Sequence, residues 1–299
     1  MLLRGFTTIR DAGGADWGLA QAVEEGIIVG PRLLFTGHAL SQTGGHALRG
    51  IGRVCDGVAE VTKAARDELR KGAHCIKIMA SGGVASPTDR LTNTQFSQVE
   101  IWAIVEEAEA CGTYVCAHAY TAKAIKRAVE CGVRSIEHGN HLDEESAELM
   151  AEKGVFLVPT LVTYQQLAAR GEEAGMRPEL VAKVGDLVEQ GLNAIAIAER
   201  KGVTMCFGSD LLGELHPQQN QEFAIRAQVQ DPKDILRAAT INCAKLFNME
   251  LQIGKVAEGY LADLLVVQGN PLEDIALLTR PEETLKLIMK GGVVVKPRP

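Results

Sequence analysis

Apolar residues recur at intervals of three and four over 97–110, 121–130 and 143–153, the spacing of one helix face. Each stretch runs into a glycine, and each glycine opens a short apolar run: TYVCAH after Gly112, VRSIEH after Gly132, VFLVPT after Gly154. The same unit is readable at Gly5, Gly72 and Gly202. Glycine there serves as a left-handed helix stop, and runs of Val and Ile without polar alternation predict strands buried on both faces of a parallel sheet. Strands are therefore predicted at about 6–10, 32–37, 74–79, 114–118, 135–138, 156–161 and 204–209, alternating with helices, one of which opens on a Ser97/Glu100 capping box.

Lys77, His118, His138, Thr160 and Asp210 reach the C-terminal ends of strands from five different units. A doubly wound sheet gathers ligand groups near one switch point, whereas a closed barrel turns many strand ends to one mouth. The predicted fold is thus α/β, a (β/α)8 TIM barrel. Seven strands are counted where such a barrel needs eight, and residues 1–5 read as the last turn of a helix, so the first strand is expected to be absent. The glycine-rich stretch 37–57 is expected to be a mouth loop, and 234–247 a terminal helix. Beyond 253, short strands with Gly and Asn turns predict a small β appendage. This divides the chain into a barrel over 1–250 and an appendage over 251–299, part of a β-sandwich.

Composition enters by exclusion. With 31 Lys and Arg against 38 Asp and Glu, the net charge of −7 offers no basic field for nucleic acid or an anionic membrane surface. No segment approaches the ~18 uninterrupted apolar residues of a membrane span, and the start lacks an apolar signal core, so a cytoplasmic protein is expected. Seven cysteines without a CxxC pair predict reduced thiols.

His118 and His138 close adjacent strands at equal offset, each followed by a small residue, and imidazole suits zinc, so the pair is read as metal-ligating. Lys77 lies inside the apolar IKIM, where a buried ammonium without a partner is strongly disfavoured. Asp210 ends the final predicted strand, where an acid can ligate a metal or carry a proton. His46 in TGGH and Tyr164 in TLVTYQ are candidates for substrate binding. Cys116 is read as barrel filler, Arg10 as an ion-pair partner beside Asp11, and His38, His74, His141 and His216 as structural or surface groups.

GFTTIRDAGG (5–14), SQTGGH (41–46), IKIMASGG (76–83), CAHAY (116–120), IEHGN (136–140), GSD (208–210), ILRAATINCAKLF (235–247) and GYLADLLVVQGNPLEDI (259–275) run in order along almost the whole chain. In these motifs the sequence resembles the amidohydrolase superfamily, in the branch of prolidase-type Xaa-Pro dipeptidases and ochratoxin-hydrolysing enzymes and, more distantly, imidazolonepropionase. The resemblance implies a barrel with a small β-sandwich and two divalent metal ions, with zinc as the expected metal. It implies that Lys77 is carboxylated and bridges the metals, that His118 and His138 hold the second, and that Asp210 holds the first and shuttles protons. Carboxylation would turn a costly buried cation into an anionic ligand. The family's His-x-His motif occurs nowhere in the 299 residues, in agreement with the strand count, and the first half of the sandwich is expected to be missing with it.

The implied activity is metal-dependent hydrolysis of an amide or peptide bond in a small substrate, a dipeptide or N-acyl amino acid. Two alternatives stay open: a ring-opening hydrolase or deaminase of the same superfamily, and a truncated remnant of impaired activity holding at most one metal. Unpaired strand edges invite a partner, and a homo-oligomer is among the expectations.

Overall fold

The computed structural model describes residues 1–46 and 50–296. β1 (Thr8–Asp11) pairs in parallel with β2 (Arg32–Phe35). β3 (Ala39–Ser41), β4 (Gly52–Val54), β5 (Ile76–Met79), β6 (Val115–Thr121), β7 (Ser135–His141) and β8 (Phe156–Val158) form a six-stranded parallel sheet in the order β4-β3-β5-β6-β7-β8. The two sheets are joined by single backbone bonds, His74 N to Phe35 O and Gly14 N to Gly37 O. Among the described residues the ladder is not continuous around the molecule.

Helices Gln98–Ala110, Ala122–Glu130 and Glu144–Glu152 lie where the periodicity places them, the first on the Ser97/Glu100 capping box. Their apolar faces pack Ile101, Ile104, Ile125 and Met150 against Ile78, Ala117, Ile136 and Leu157 of the strands, all fully buried. Side chains of that size contribute roughly 1.5–3 kcal/mol each when buried, and this layer holds the strand ends in register. All seven cysteines are free.

Three expectations are corrected. The stretch read as a mouth loop contains β3 and β4; its residues 47–49 lie outside the described residues. The strand read at 156–161 stops at Val158. The strand expected at 204–209 is reduced to one parallel bridge, Leu157 to Met205. The backbone acceptors a neighbouring strand would use are met otherwise: Asn242 Nδ2 donates to Met205 O and Arg226 Nη1 to Cys206 O, both at 2.8 Å. The helix expected over 234–247 runs from Pro232 to Leu246, with a π turn at Ala238–Asn242.

The other face of the strands lines an interior of Cys75, Tyr114, Cys116, Phe156, Val158 and Cys206. Arg10 of β1 enters it, donating to Glu137 at 2.7 Å and to Ser135 at 3.2 Å on β7. The pair is almost completely buried. The ion pair expected for Arg10 forms with Glu137, while the neighbouring Asp11 carboxylate accepts the backbone N–H groups of Gly13 and Ala15.

Towards the C-terminus, β9 (Leu264–Val267), β10 (Leu285–Lys290) and β11 (Val293–Lys296) form an antiparallel sheet in the order β11-β10-β9. Leu285 and Ile288 share an apolar cluster with Leu2, Phe223 and Ile235. Among the described residues no helix is long and apolar enough to cross a membrane.

Candidate metal and substrate site

Register decides which side chains meet. Lys77 pairs with Cys116, Met79 with His118, and His118 with Glu137, so Lys77, Cys116, His118 and Glu137 share the interior face. His138 pairs with Ala119 and by alternation would point to the helices. Its φ of 74°, followed by 64° at Gly139, turns it inward. The His118 and His138 rings then meet edge to face, centroids 4.7 Å apart. A non-glycine residue held left-handed is costly. Of the four described here, Phe96, His138, Asp210 and Asn248, two are candidate ligands.

Each ring is fixed at one nitrogen. His118 Nε2 lies 3.0 Å from Gly82 O, which can only accept, so the proton is on Nε2 and the lone pair on Nδ1. His138 Nδ1 is bonded to Thr160 Oγ1 at 2.7 Å, leaving Nε2 free. Burial first of all, with the neighbouring histidines and Lys77, holds His118 well below the ordinary imidazole range; burial and then Lys77 do the same for His138. Both are neutral, the form that ligates metal.

Lys77 is 5% exposed and makes no hydrogen bond or ion pair among the described residues. Its charge bears on His46, His118, His138 and Asp210, which puts all four within electrostatic reach of Lys77. Loss of hydration raises the Asp210 carboxyl to about 6, with Lys77 opposing. Asp210 is nonetheless open to water. The shift therefore reflects crowding by surrounding protein rather than a sealed cavity, and solvent screening weakens it.

The donor chemistry suits a divalent ion: two neutral imidazoles with free lone pairs, a nearby carboxylate, and a buried amine that carboxylation would convert to a ligand. Among the described residues no group of three or more His, Cys, Asp or Glu is arranged to hold a metal ion.

His46 stacks on His118 with centroids 4.5 Å apart and an interplanar angle of 25°. Burial, then Lys77 and Lys183, depress it to about 4. Tyr164, in the first turn of helix Leu161–Arg170, is 1% exposed and donates to the hydroxyl of Tyr120 at 2.9 Å. Tyr120 was missed by the sequence reading, yet its signal is plain: two residues after His118, it shares that face, and its ring stacks on His138 at 5.5 Å. Cys116 is fully buried filler, as expected. His74 accepts the Phe35 N–H, and His38 lies beside Glu68.

The amidohydrolase family model matches residues 1–294. The chain is 36% identical over 321 residues to the ochratoxinase of Aspergillus niger, covering 99% of this chain and 66% of that protein, just under two thirds of its length. A crystal structure of a prolidase complexed with N-methylphosphonate-L-proline is similar with a TM-score of 0.97 at 53% identity, over 100% of this chain and 77% of that one. A Xaa-Pro dipeptidase with bound methionine in its active site gives a TM-score of 0.88 at 33% identity, over 99% and 76%.

Proposed function

Because the chain belongs to the amidohydrolase family, we propose that it hydrolyses a carbon–nitrogen amide or peptide bond in a small substrate, a dipeptide or N-acyl amino acid, at the cluster of Lys77, His118, His138 and Asp210. The observation that carries this reading is the meeting of two buried, neutral imidazoles from adjacent strands, each with one ring nitrogen free, beside an unpaired buried lysine. The names of the relatives, a prolidase, a dipeptidase and an ochratoxinase, support amide chemistry on small molecules. In this reading the parallel sheets belong to a (β/α)8 barrel lacking its first strand, over 1–250, with 251–299 as the β appendage.

His118 Nδ1, His138 Nε2, a carboxylated Lys77 and Asp210 would hold divalent metal, with zinc the ion that best suits them. When bound, such an ion polarises a carbonyl oxygen and makes water acidic enough to act as a nucleophile near neutral pH. The residues of the chain do the rest. Gly82 O and Thr160 fix the two imidazoles, so no reorganisation is needed when ligand arrives. Asp210, whose carboxyl is raised by lost hydration, would take up a proton from the attacking water and return it to the leaving amine. His46 and Tyr164, at the edge of the imidazole pair, are the proposed contacts for the substrate's polar ends.

A second reading, a remnant holding at most one ion, is favoured by the lack of a three-residue His, Cys, Asp or Glu group among the described residues. One experiment separates the two. The purified chain is loaded with zinc, its metal content measured, and Xaa-Pro dipeptides, N-acyl amino acids and cyclic amidines are offered as substrates. Hydrolysis of the first two classes is expected. A metal-loaded protein inert on all amides would refute the proposal, and turnover of cyclic amidines alone would move it to the ring-opening class.

A further inference from the structure

Between β5 and the helix starting at Gln98, the chain makes an excursion that leaves the sheet at Ser81 and returns at Thr94, closed by an antiparallel bridge between those two residues. The excursion touches the stacked rings of His118 and His46. Gly82 O faces His118 Nε2, and Ser86 Oγ bonds His46 Nδ1 at 2.6 Å. Gly83 lies so close under the His46 ring that a Cβ there would stand 2.2 Å from Cε1.

Besides the two histidines, a third side chain from elsewhere in the chain holds this excursion. Lys183, a hundred residues on from Gly83, places its ammonium against Ser86 O at 2.5 Å, Asp89 O at 2.7 Å and Gly83 O at 3.4 Å. An ammonium has three N–H donors, and three carbonyls take them. Asp89 ties the excursion from within, accepting Gly83 N–H at 3.0 Å, while its buried Oδ1 has no hydrogen-bond partner and stands 4.0 Å from Lys183 Nζ. The lysine therefore supplies the local counter-charge as well as the bonds.

We infer that Lys183 is a positioning residue, latching the 81–94 excursion so that His46 stays stacked on His118 at the mouth of the site. The inference rests on the reading of this cluster as the catalytic site. Among the described residues Lys183 makes no hydrogen bond or ion pair with a candidate ligand, and its three donors are engaged by carbonyls; it acts through Gly83, Ser86 and Asp89.

The test compares the full chain with Lys183→Met, which keeps the stem and removes the charge, and with Lys183→Arg. Amide hydrogen exchange over 82–92 is expected to speed up about tenfold or more in Lys183→Met while 98–110 and 122–130 keep their protection; Lys183→Arg should restore most of it. Should the Met variant not fold, Lys183→Gln, which keeps an N–H donor, serves for the same comparison. Unchanged exchange overturns the latch. On a substrate that the wild type hydrolyses, KM should rise about tenfold at unchanged metal content, with recovery in Lys183→Arg; unchanged kinetics despite faster exchange overturns the positioning role. If the wild type hydrolyses nothing, the proposed reaction fails, and exchange still decides the latch.

Discussion

His138 meets the ring of His118 at 4.7 Å although its register partner on β6 is Ala119, whose side chain belongs to the opposite face of the sheet. The left-handed backbone at His138 makes the contact, and that conformation costs a branched or bulky residue about 1–2 kcal/mol. Asparagine tolerates it. His138→Asn is therefore expected to keep the melting temperature within a few degrees of wild type and to lose at least about a hundredfold in zinc affinity or turnover, in line with the loss of a ligand. His138→Val should lose both stability and metal. Thermal melts beside zinc titrations check this; an Asn variant that binds zinc as tightly as wild type removes His138 from the site.

The same contact marks the limit of what the sequence could tell. Period-two alternation places Cys116, His118 and Tyr120 on one face correctly, and it would have placed His138 outward; only a backbone dihedral reverses that. The helices and the Ser97/Glu100 cap were legible because their signals are local. β3 and β4 were not, since three-residue strands are too short to show a period. The strand expected at 204–209 gave way to Arg226 and Asn242, side chains from helices further along the chain that take over its carbonyls. Arg10 was readable as an ion-pair residue, but its partner lies 127 positions away.

Arg10 and Glu137 are 5% and 6% exposed, and removing one leaves the other charged among apolar and thiol groups. Glu137→Ala is expected to cost roughly 3–5 kcal/mol of stability. Replacing both, as Arg10→Met with Glu137→Leu, should cost much less than the sum of the single changes. Denaturant melts of the four proteins check this coupling, and strict additivity would mean that the two side chains do not pair.

Glu222 is fully buried behind the helix Leu161–Arg170, where its carboxylate accepts the Val162 N–H. Burial raises its carboxyl to about 8, with Arg226 only partly opposing. Between the usual carboxylate value near 4.5 and 8 the folded protein keeps a proton that the unfolded chain has lost, so this group's contribution to stability falls as pH rises through that window. Glu222→Gln keeps an acceptor for Val162 and has nothing to titrate. The variant should gain on wild type as pH goes from 5 to 8, on the order of 1–2 kcal/mol after allowance for partial compensation by Arg226. Melting curves at the two pH values decide it; a constant difference between the proteins would place the carboxyl in its ordinary range.

Gly83 is where the site tolerates no side chain. A Cβ there would meet the His46 ring at 2.2 to 2.5 Å, and the ring, not the backbone, has to move. Gly83→Ala should therefore displace His46 from its stack on His118 and reproduce the kinetic defect of His46→Ala, a rise in KM of about tenfold. Its cost in stability should stay near 1 kcal/mol, because its backbone is not in the left-handed region. The decisive comparison is the double variant. If displacement of His46 is the whole effect, Gly83→Ala adds nothing to His46→Ala. Additive losses would mean that Gly83 acts independently of His46, through Gly82 and His118, whereas an unchanged KM in His46→Ala itself would take His46 out of substrate binding.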